Sequence, residues 1–235
     1  MTQQERQERS REKIYRAALE EFGASGYDAV NMEQICGKHG ISKGMMYHYY
    51  SSKDQLFLLC VERTFADLNA CIEQEAEKWA DQDILETFKA QLLMREAFFN
   101  CHPLQKTVFE TAVLRPPKGL AKQIRELYAP IREKNQRFLQ ELLVRMPLRP
   151  GISQEKAARF LGGVEYFLQY YQRGQPEQNL HSILETAEDV FYMAAYGVFQ
   201  PPAGPAFSSC SPASIVCATR TWGSCPCPCI SGLSC

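Results

Sequence analysis

Between Arg6 and Gln200 no stretch alternates apolar with polar residues, whereas apolar residues recur at helical spacing nearly throughout. That periodicity constrains the chain more than any other feature, and the expected fold class is all-α. Ile14, Ala17, Ala18 and Phe22 form one stripe, with Gly23 and Gly26 expected to close the first helix. Asn31 is a good N-cap for a second helix through Met32, Ile35 and Cys36, stopping at Gly40. Ser42 caps a short third helix that ends before Ser51-Ser52. A fourth opens at Lys53-Asp54 and carries Val61, Phe65, Leu68, Ile72, Ala76 and Trp79, long enough to reach from one domain into another.

Proline punctuates the rest. Pro103, Pro116-Pro117, Pro130 and the stretch from Pro147 to Gly151 divide the middle into three or four helices, because the residue before a proline is pushed out of the helical region. Two stronger helices follow. Ala157, Leu161, Val164, Leu168 and Tyr171 line one, ended by Gly174 and Pro176; Leu184, Ala187, Phe191, Ala194 and Val198 line the other. Phe160, Phe167, Tyr170, Val190 and Tyr196 lie off these stripes, so each helix has a second face to bury. Gly162-Gly163 would let another helix approach closely. This pair is read as a homodimer surface, the plainer alternative being two central helices of one bundle.

Cysteine usage separates this body from its end. Cys36, Cys60, Cys71 and Cys101 have no zinc or redox spacing and are expected as reduced, mostly buried thiols. Six more crowd into residues 201–235, a Cys/Pro/Ser-rich tail with Arg220 as its one charged residue, which is expected to lie outside the fold as a disordered segment. The opening residues carry no apolar stretch of the signal-peptide kind, and no run is long enough to cross a bilayer, so a cytoplasmic protein is expected. A net charge of −1 excludes a globally basic coating protein, so any nucleic-acid contact has to come from a local patch.

Such a patch lies between Asn31 and Leu56. Two short helices joined across Gly40-Ile41 have the size and turn chemistry of a helix-turn-helix, which presents a compact helix to the DNA major groove. From Gln34 to Lys53 there is no Asp or Glu, while Lys38, Lys43 and Lys53 with His39 and His48 concentrate positive charge. Arg6, Arg9, Arg11, Lys13 and Arg16 outnumber Glu8 and Glu12 just upstream and offer a second site for phosphates. Charge alone also fits an ordinary solvated face.

The residues from Ile14 to Leu56 resemble more than a generic motif. Ala18 and Phe22, Gly26-Tyr27, Ile35 followed by a small residue, and the run Gly40-Ile41-Ser42-Lys43-Gly44-Met45-Met46-Tyr47-His48-Tyr49-Tyr50-Ser51-Ser52-Lys53-Asp54-Gln55-Leu56 are similar to the DNA-binding domain of the TetR family of bacterial transcription regulators. The resemblance implies an N-terminal three-helix DNA-binding domain at 1–52, a connecting helix at 53–79, and a helical ligand-binding and dimerisation domain at 80–200. It also implies a homodimer on a double-stranded operator, acting as a repressor and responding to a small-molecule effector.

The DNA-facing set is then Asn31, Ser42, Lys43, Gly44, Met45, Tyr47, His48 and Lys53. Ser42 caps the helix and offers a hydroxyl to phosphate, and Gly44 lets the backbone lie close to DNA. Tyr47 and Lys53 resemble the family's phosphate-holding tyrosine and lysine, and such contacts position without reading sequence. Base reading falls to Lys43, Met45 and His48. Met45 departs from the threonine of many members and suits a thymine methyl rather than a hydrogen bond, so an operator sequence does not carry over from relatives. The other reading of Tyr47 is a core aromatic.

For the effector, Met94, Phe98, Phe99, His102, Phe109, Tyr128, Tyr166 and Tyr170 are candidates to line an apolar cavity with a few polar groups, each of them equally readable as ordinary core. No phosphate-binding loop, zinc-protease helix or nucleophile elbow occurs, so no catalytic residue is assigned and an enzyme is not expected. No cofactor or metal is expected either. The two alternatives are a constitutive DNA binder and a thiol- or metal-responsive regulator built on Cys225-Pro226-Cys227-Pro228-Cys229, whose alternating prolines hinder a closed four-ligand site.

Overall fold

A computed structural model describes residues 2–76, 78, 84–174 and 180–200; within its helices the side chains of 84, 85, 165–174, 180 and 183 are not described. Trp79, Tyr166, Phe167, Tyr170 and the tail at 201–235 therefore lie outside the described side chains. The described elements are helices: α1 (Gln3–Ala29), α2 (Met32–His39), α3 (Lys43–Tyr49), α4 (Lys53–Ala76), α5 (Ile84–Cys101), α6 (Pro103–Leu114), α7 (Ala121–Leu127), α8 (Ala129–Arg145), α9 (Gln154–Gly174) and α10 (Leu180–Val198). Pro103 sits in the first turn of α6 and Pro130 in that of α8, where the missing N–H is not needed. Among the described residues the only ladder contact is an isolated bridge between Leu148 and Phe199, and the Gln200 N–H donates to the Pro147 carbonyl at 2.9 Å.

The first helix does not stop at Gly23. It passes through that residue and breaks at Gly26, whose φ of 74° is in the region open to glycine, before a last turn ends at Ala29. Gly23 serves close approach instead: a Cβ there would stand 2.6 Å from the Leu104 Cβ and 2.8 Å from its Cα. Helix α6 therefore lies directly against α1. The core is continuous as a result, running from Ile14, Phe22, Ile35 and Met46 through Phe57, Val61 and Phe65 to Phe98, Phe99, Phe109 and Ile131.

A second cluster joins α8, α9 and α10 through Phe138, Leu142, Ala157, Leu161, Phe191 and Val198. Away from it, Phe160 is 50% exposed and Met193 66% exposed. A Cβ added at Gly162, Gly163 or Gly197 would meet nothing. These two helices thus bury one stripe and leave apolar residues and an open glycine surface on another. Cys36, Cys60 and Cys71 are buried free thiols as expected, but Cys101 is not: it is disulfide-bonded.

Candidate nucleic-acid interface

Local chemistry fixes both ends of α2 and the start of α3. The Asn31 side chain accepts from the Gln34 N–H at 2.8 Å while Gln34 accepts from the Asn31 N–H at 3.3 Å, a reciprocal capping box. Gly40 ends α2 in the left-handed conformation, at φ 57° and ψ 45°. Two residues later Ser42 Oγ accepts from the Met45 N–H at 3.1 Å, and α3 begins. Ile41 and Met46 are buried and pin this turn to the core. The Lys13 ammonium donates to the Gly40 carbonyl at 2.9 Å, tying α1 to the same turn.

With Met46 inward, the residues one helical turn apart on the opposite side face out. Ser42, Lys43, Gly44, Tyr47 and His48 are all exposed. Tyr47 is 49% exposed, which excludes the core-aromatic reading. Met45 is only half-exposed and packs against the core with part of its side chain. Asn31 is exposed but its oxygen is committed to the cap. Lys43 reaches back to Glu33 Oε1 at 2.6 Å, both side chains being well exposed, and the Lys43 hydrogen bond holds the Glu33 carboxyl below its usual range. The upstream basic residues Arg6, Arg9, Arg11, Lys13 and Arg16 are exposed on the first turns of α1, which form a projecting helix rather than an arm.

Lys53 sits differently from expectation. Its ammonium donates to the Tyr27 carbonyl at 3.1 Å and lies 4.1 Å from the Tyr27 ring centroid. The Tyr27 hydroxyl in turn donates to Asp54. Lys53 and Asp54 therefore lock the start of α4 to the end of α1, and Lys53 keeps further N–H donors beyond the one it spends there. The turn between α3 and α4 is held by Gln55, whose Oε1 accepts from the Ser51 N–H at 2.9 Å.

Two ionic groups that sequence reading passed over brace the motif. Glu21, 8% exposed on α1, accepts from Lys38 at 2.7 Å and lies 3.1 Å from His39 Nε2. The Lys38 hydrogen bond, opposed by burial and aided by His39, holds its carboxyl below the usual range. On the other side Arg63 of α4 pairs with Glu12 at 2.5 Å and lies 3.9 Å from the Tyr15 ring centroid. Burial pushes the Tyr15 hydroxyl up to about 12. The signal was present in the sequence only as charges on three helices whose facing sides the sequence does not reveal.

Several of the effector candidates pack on one another. Phe98, Phe99 and Phe109 are buried and packed together: Phe98 and Phe99 centroids are 5.0 Å apart, Phe99 and Phe109 4.6 Å apart. Phe109 and Tyr128 pack on Phe65 of α4, and His102 stacks on Phe98. Met94 is half-buried with its sulfur 3.5 Å from that of Cys71. Tyr166 and Tyr170 lie outside the described side chains. A described groove of about 590 Å³ lies elsewhere, between the start of α4 and α7, lined by Tyr50, Leu58, Leu59, Glu62 and Leu127 among others. Among the described residues no group of three or more metal-ligating side chains occurs, and no helix is long and apolar enough to cross a membrane. Burial pushes the Cys60 thiol up to about 12, away from reactivity.

Comparison with known proteins agrees with this geometry. The family described as bacterial regulatory proteins, tetR family, matches residues 14–60, which run from the buried part of α1 into α4. The HTH-type transcriptional activator FasR of Mycolicibacterium smegmatis is 31% identical over 109 residues, 45% of this chain and 48% of that protein. The HTH-type transcriptional repressor NicS of Pseudomonas putida is 32% identical over 62 residues, 26% of this chain and 29% of that protein. The chain thus spans about half or less of the length of these curated relatives. The fold extends further. A tetR family transcription regulator from Shewanella sp. PV-4 superposes with a TM-score of 0.55 at 14% identity, covering 82% of this chain and 99% of the other. SmeT in its triclosan complex gives 0.53 at 18% identity, covering 86% and 98%. Residues 14–60 are thus similar to the tetR family of bacterial regulatory proteins, and the helical body shares its fold with solved tetR-family regulators.

Proposed function

We propose that this protein is a sequence-specific transcriptional regulator that binds an inverted-repeat DNA operator as a homodimer, represses from it, and is released by a small molecule. The observation that carries the reading is the outward side of α3: Ser42, Lys43, Gly44, Tyr47 and His48 are exposed together while Ile41 and Met46 are buried beneath them. Such a face, carried on a capped and braced helix, is what entry into a major groove requires. Residues 1–52 read the DNA, residues 53–79 transmit, and residues 80–200 dimerise and receive the effector.

In this reading Lys43 and His48 meet base edges, with the outer part of Met45 against an apolar base surface. Tyr47, Ser42, the Gly44 backbone and the remaining donors of Lys53 meet phosphates, and Asn31 shapes the start of α2. The exposed Phe160 and Met193 and the open surface at Gly162-Gly163 suit the two-fold contact. The relatives' names include both an activator and a repressor, and SmeT is described with a bound small molecule. The fold supports a body of the kind that receives such a ligand.

The division of labour is testable by two substitutions. Tyr47→Phe should weaken binding to every sequence alike, by about tenfold, because it removes a hydrogen bond to a charged phosphate. Met45→Thr should change the preferred base instead. Binding titrations against a panel of operator variants would contradict the placement of α3 if Tyr47→Phe altered base preference and Met45→Thr weakened all sites equally.

A further inference from the structure

We infer that Arg95 anchors the anionic head of a small effector, a monoanionic carboxylate on an apolar body, received between α5 and α8. The inference rests on the ligand-responsive reading above and assigns its effector a charge. Arg95 is mostly withdrawn from solvent, and its guanidinium Nη2 donates to Asn135 Oδ1 of α8 at 2.9 Å. Asn135 is neutral, and among the described residues no carboxylate pairs with this guanidinium. Burial pushes its pKa down, and the one ionisable group that favours its charge is the Tyr128 phenol.

Two other half-buried cations are paired with carboxylates. Arg63 is neutralised by Glu12 and Lys134 by Glu73, at 2.5 and 2.6 Å. A charge taken out of water without a counter-charge costs free energy that a single hydrogen bond to an amide does not return. A ligand anion would supply what the fold omits.

The surroundings set the rest of the ligand. On α5, Leu92 and Phe99 lie one turn to either side of Arg95 and are buried; on α8, Ile131 and Phe138 do the same around Asn135. A single positive charge among such residues balances a single negative one, whereas a phosphate dianion would bring an uncompensated charge. The donors of Arg95 not spent on Asn135 offer the planar fork that carboxylates match.

Thermal unfolding of the full chain, with straight-chain carboxylates from butanoate to hexadecanoate as probes and the corresponding alcohols and amines as controls, tests this. At least one carboxylate should raise the Tm while its alcohol and amine do not. Arg95→Met should abolish that shift and leave the Tm of the ligand-free protein unchanged or higher, because an apolar side chain of similar length replaces a desolvated charge. Arg95→Lys should keep a weaker shift. The inference is overturned if no carboxylate shifts the Tm, if alcohols shift it equally, or if Arg95→Met lowers the ligand-free Tm and keeps the carboxylate response. Operator binding read in parallel separates the two claims. A carboxylate that binds through Arg95 without changing operator affinity upholds the site and contradicts the ligand-responsive reading; release from DNA by neutral molecules alone contradicts the site and upholds that reading.

Discussion

Phe57→Ala should destabilise the protein by about 3–5 kcal/mol, the largest stability effect expected of any single substitution in the DNA-binding half. Phe57 is 0% exposed. Its ring lies edge-on to Phe22 at 5.2 Å and to Tyr27 at 5.0 Å, so one side chain of α4 holds both the straight part of α1 and the turn beyond its break at Gly26. The surrounding helices cannot close the gap easily. Gly23 already has Leu104 against its backbone, and the start of α4 is pinned by Lys53 on Tyr27 and by Asp54 on the same residue's hydroxyl. Urea unfolding of the variant measures the loss. A cost below about 1 kcal/mol would mean that the site collapses freely and that the aromatic contact is not what joins α1 to α4.

Lys43→Glu should leave stability nearly unchanged and weaken specific DNA binding by roughly a hundredfold. The first half follows because the pair with Glu33 is exposed on both sides, and exposed pairs contribute little. The second follows because Lys43 is exposed at the first position of α3, beside the capping Ser42, on the face proposed to enter the groove. The substitution would set a carboxylate next to Glu33 on the face proposed to meet base edges, and would replace an attraction to the polyanion by a repulsion. An unchanged thermal midpoint with lost binding separates this from a folding defect. Full binding by Lys43→Glu would move the DNA contact off α3.

Local features of this chain are legible in its residue types, and features made by packing are not. Caps are local, so Asn31, Gly40 and Ser42 are legible from residue type and mark α2 and α3 where the structure has them. Breaks by proline are local too, and the four helices α5 to α8 follow from Pro103, Pro116-Pro117, Pro130 and Pro147. Gly23 was misleading, because a glycine needed for close approach and one needed for a left-handed turn look alike until the partner helix is known. Lys53 shows the same limit: its charge at the start of α4 suggests a phosphate contact, but only the fold reveals Tyr27 beneath it. Aromatic residues in the middle of the chain read equally as pocket lining or as core, and only the fold shows Phe98, Phe99 and Phe109 packed against one another. Arg95 was silent in sequence because what marks it, a neutral partner in Asn135 of α8 and no carboxylate among the described residues, is encoded by no spacing along the chain.

The two ends of α4 also acquire a clearer division. Near its start it is held to α1 by Phe57 and by Arg63 on Glu12; further along, Asp67 accepts from Gln105 of α6 at 2.7 Å and Glu73 pairs with Lys134 of α8. The contact of α6 with α1 at Gly23 gives a second path that bypasses α4. A shift of α5 or α8 around a bound ligand would therefore reach the DNA-binding helices by way of two joints, both built from packed side chains with little slack.

The most direct test of the account is selection of bound duplexes from random DNA by the purified full chain, with the mass of the selected complex measured by sedimentation. The account predicts a single enriched motif with two-fold symmetry, its half-sites one helical turn apart (roughly 34–36 Å) or somewhat more, bound by an even number of protomers. Enrichment of asymmetric sites only, binding by a single protomer, or no enrichment over non-specific DNA would contradict it.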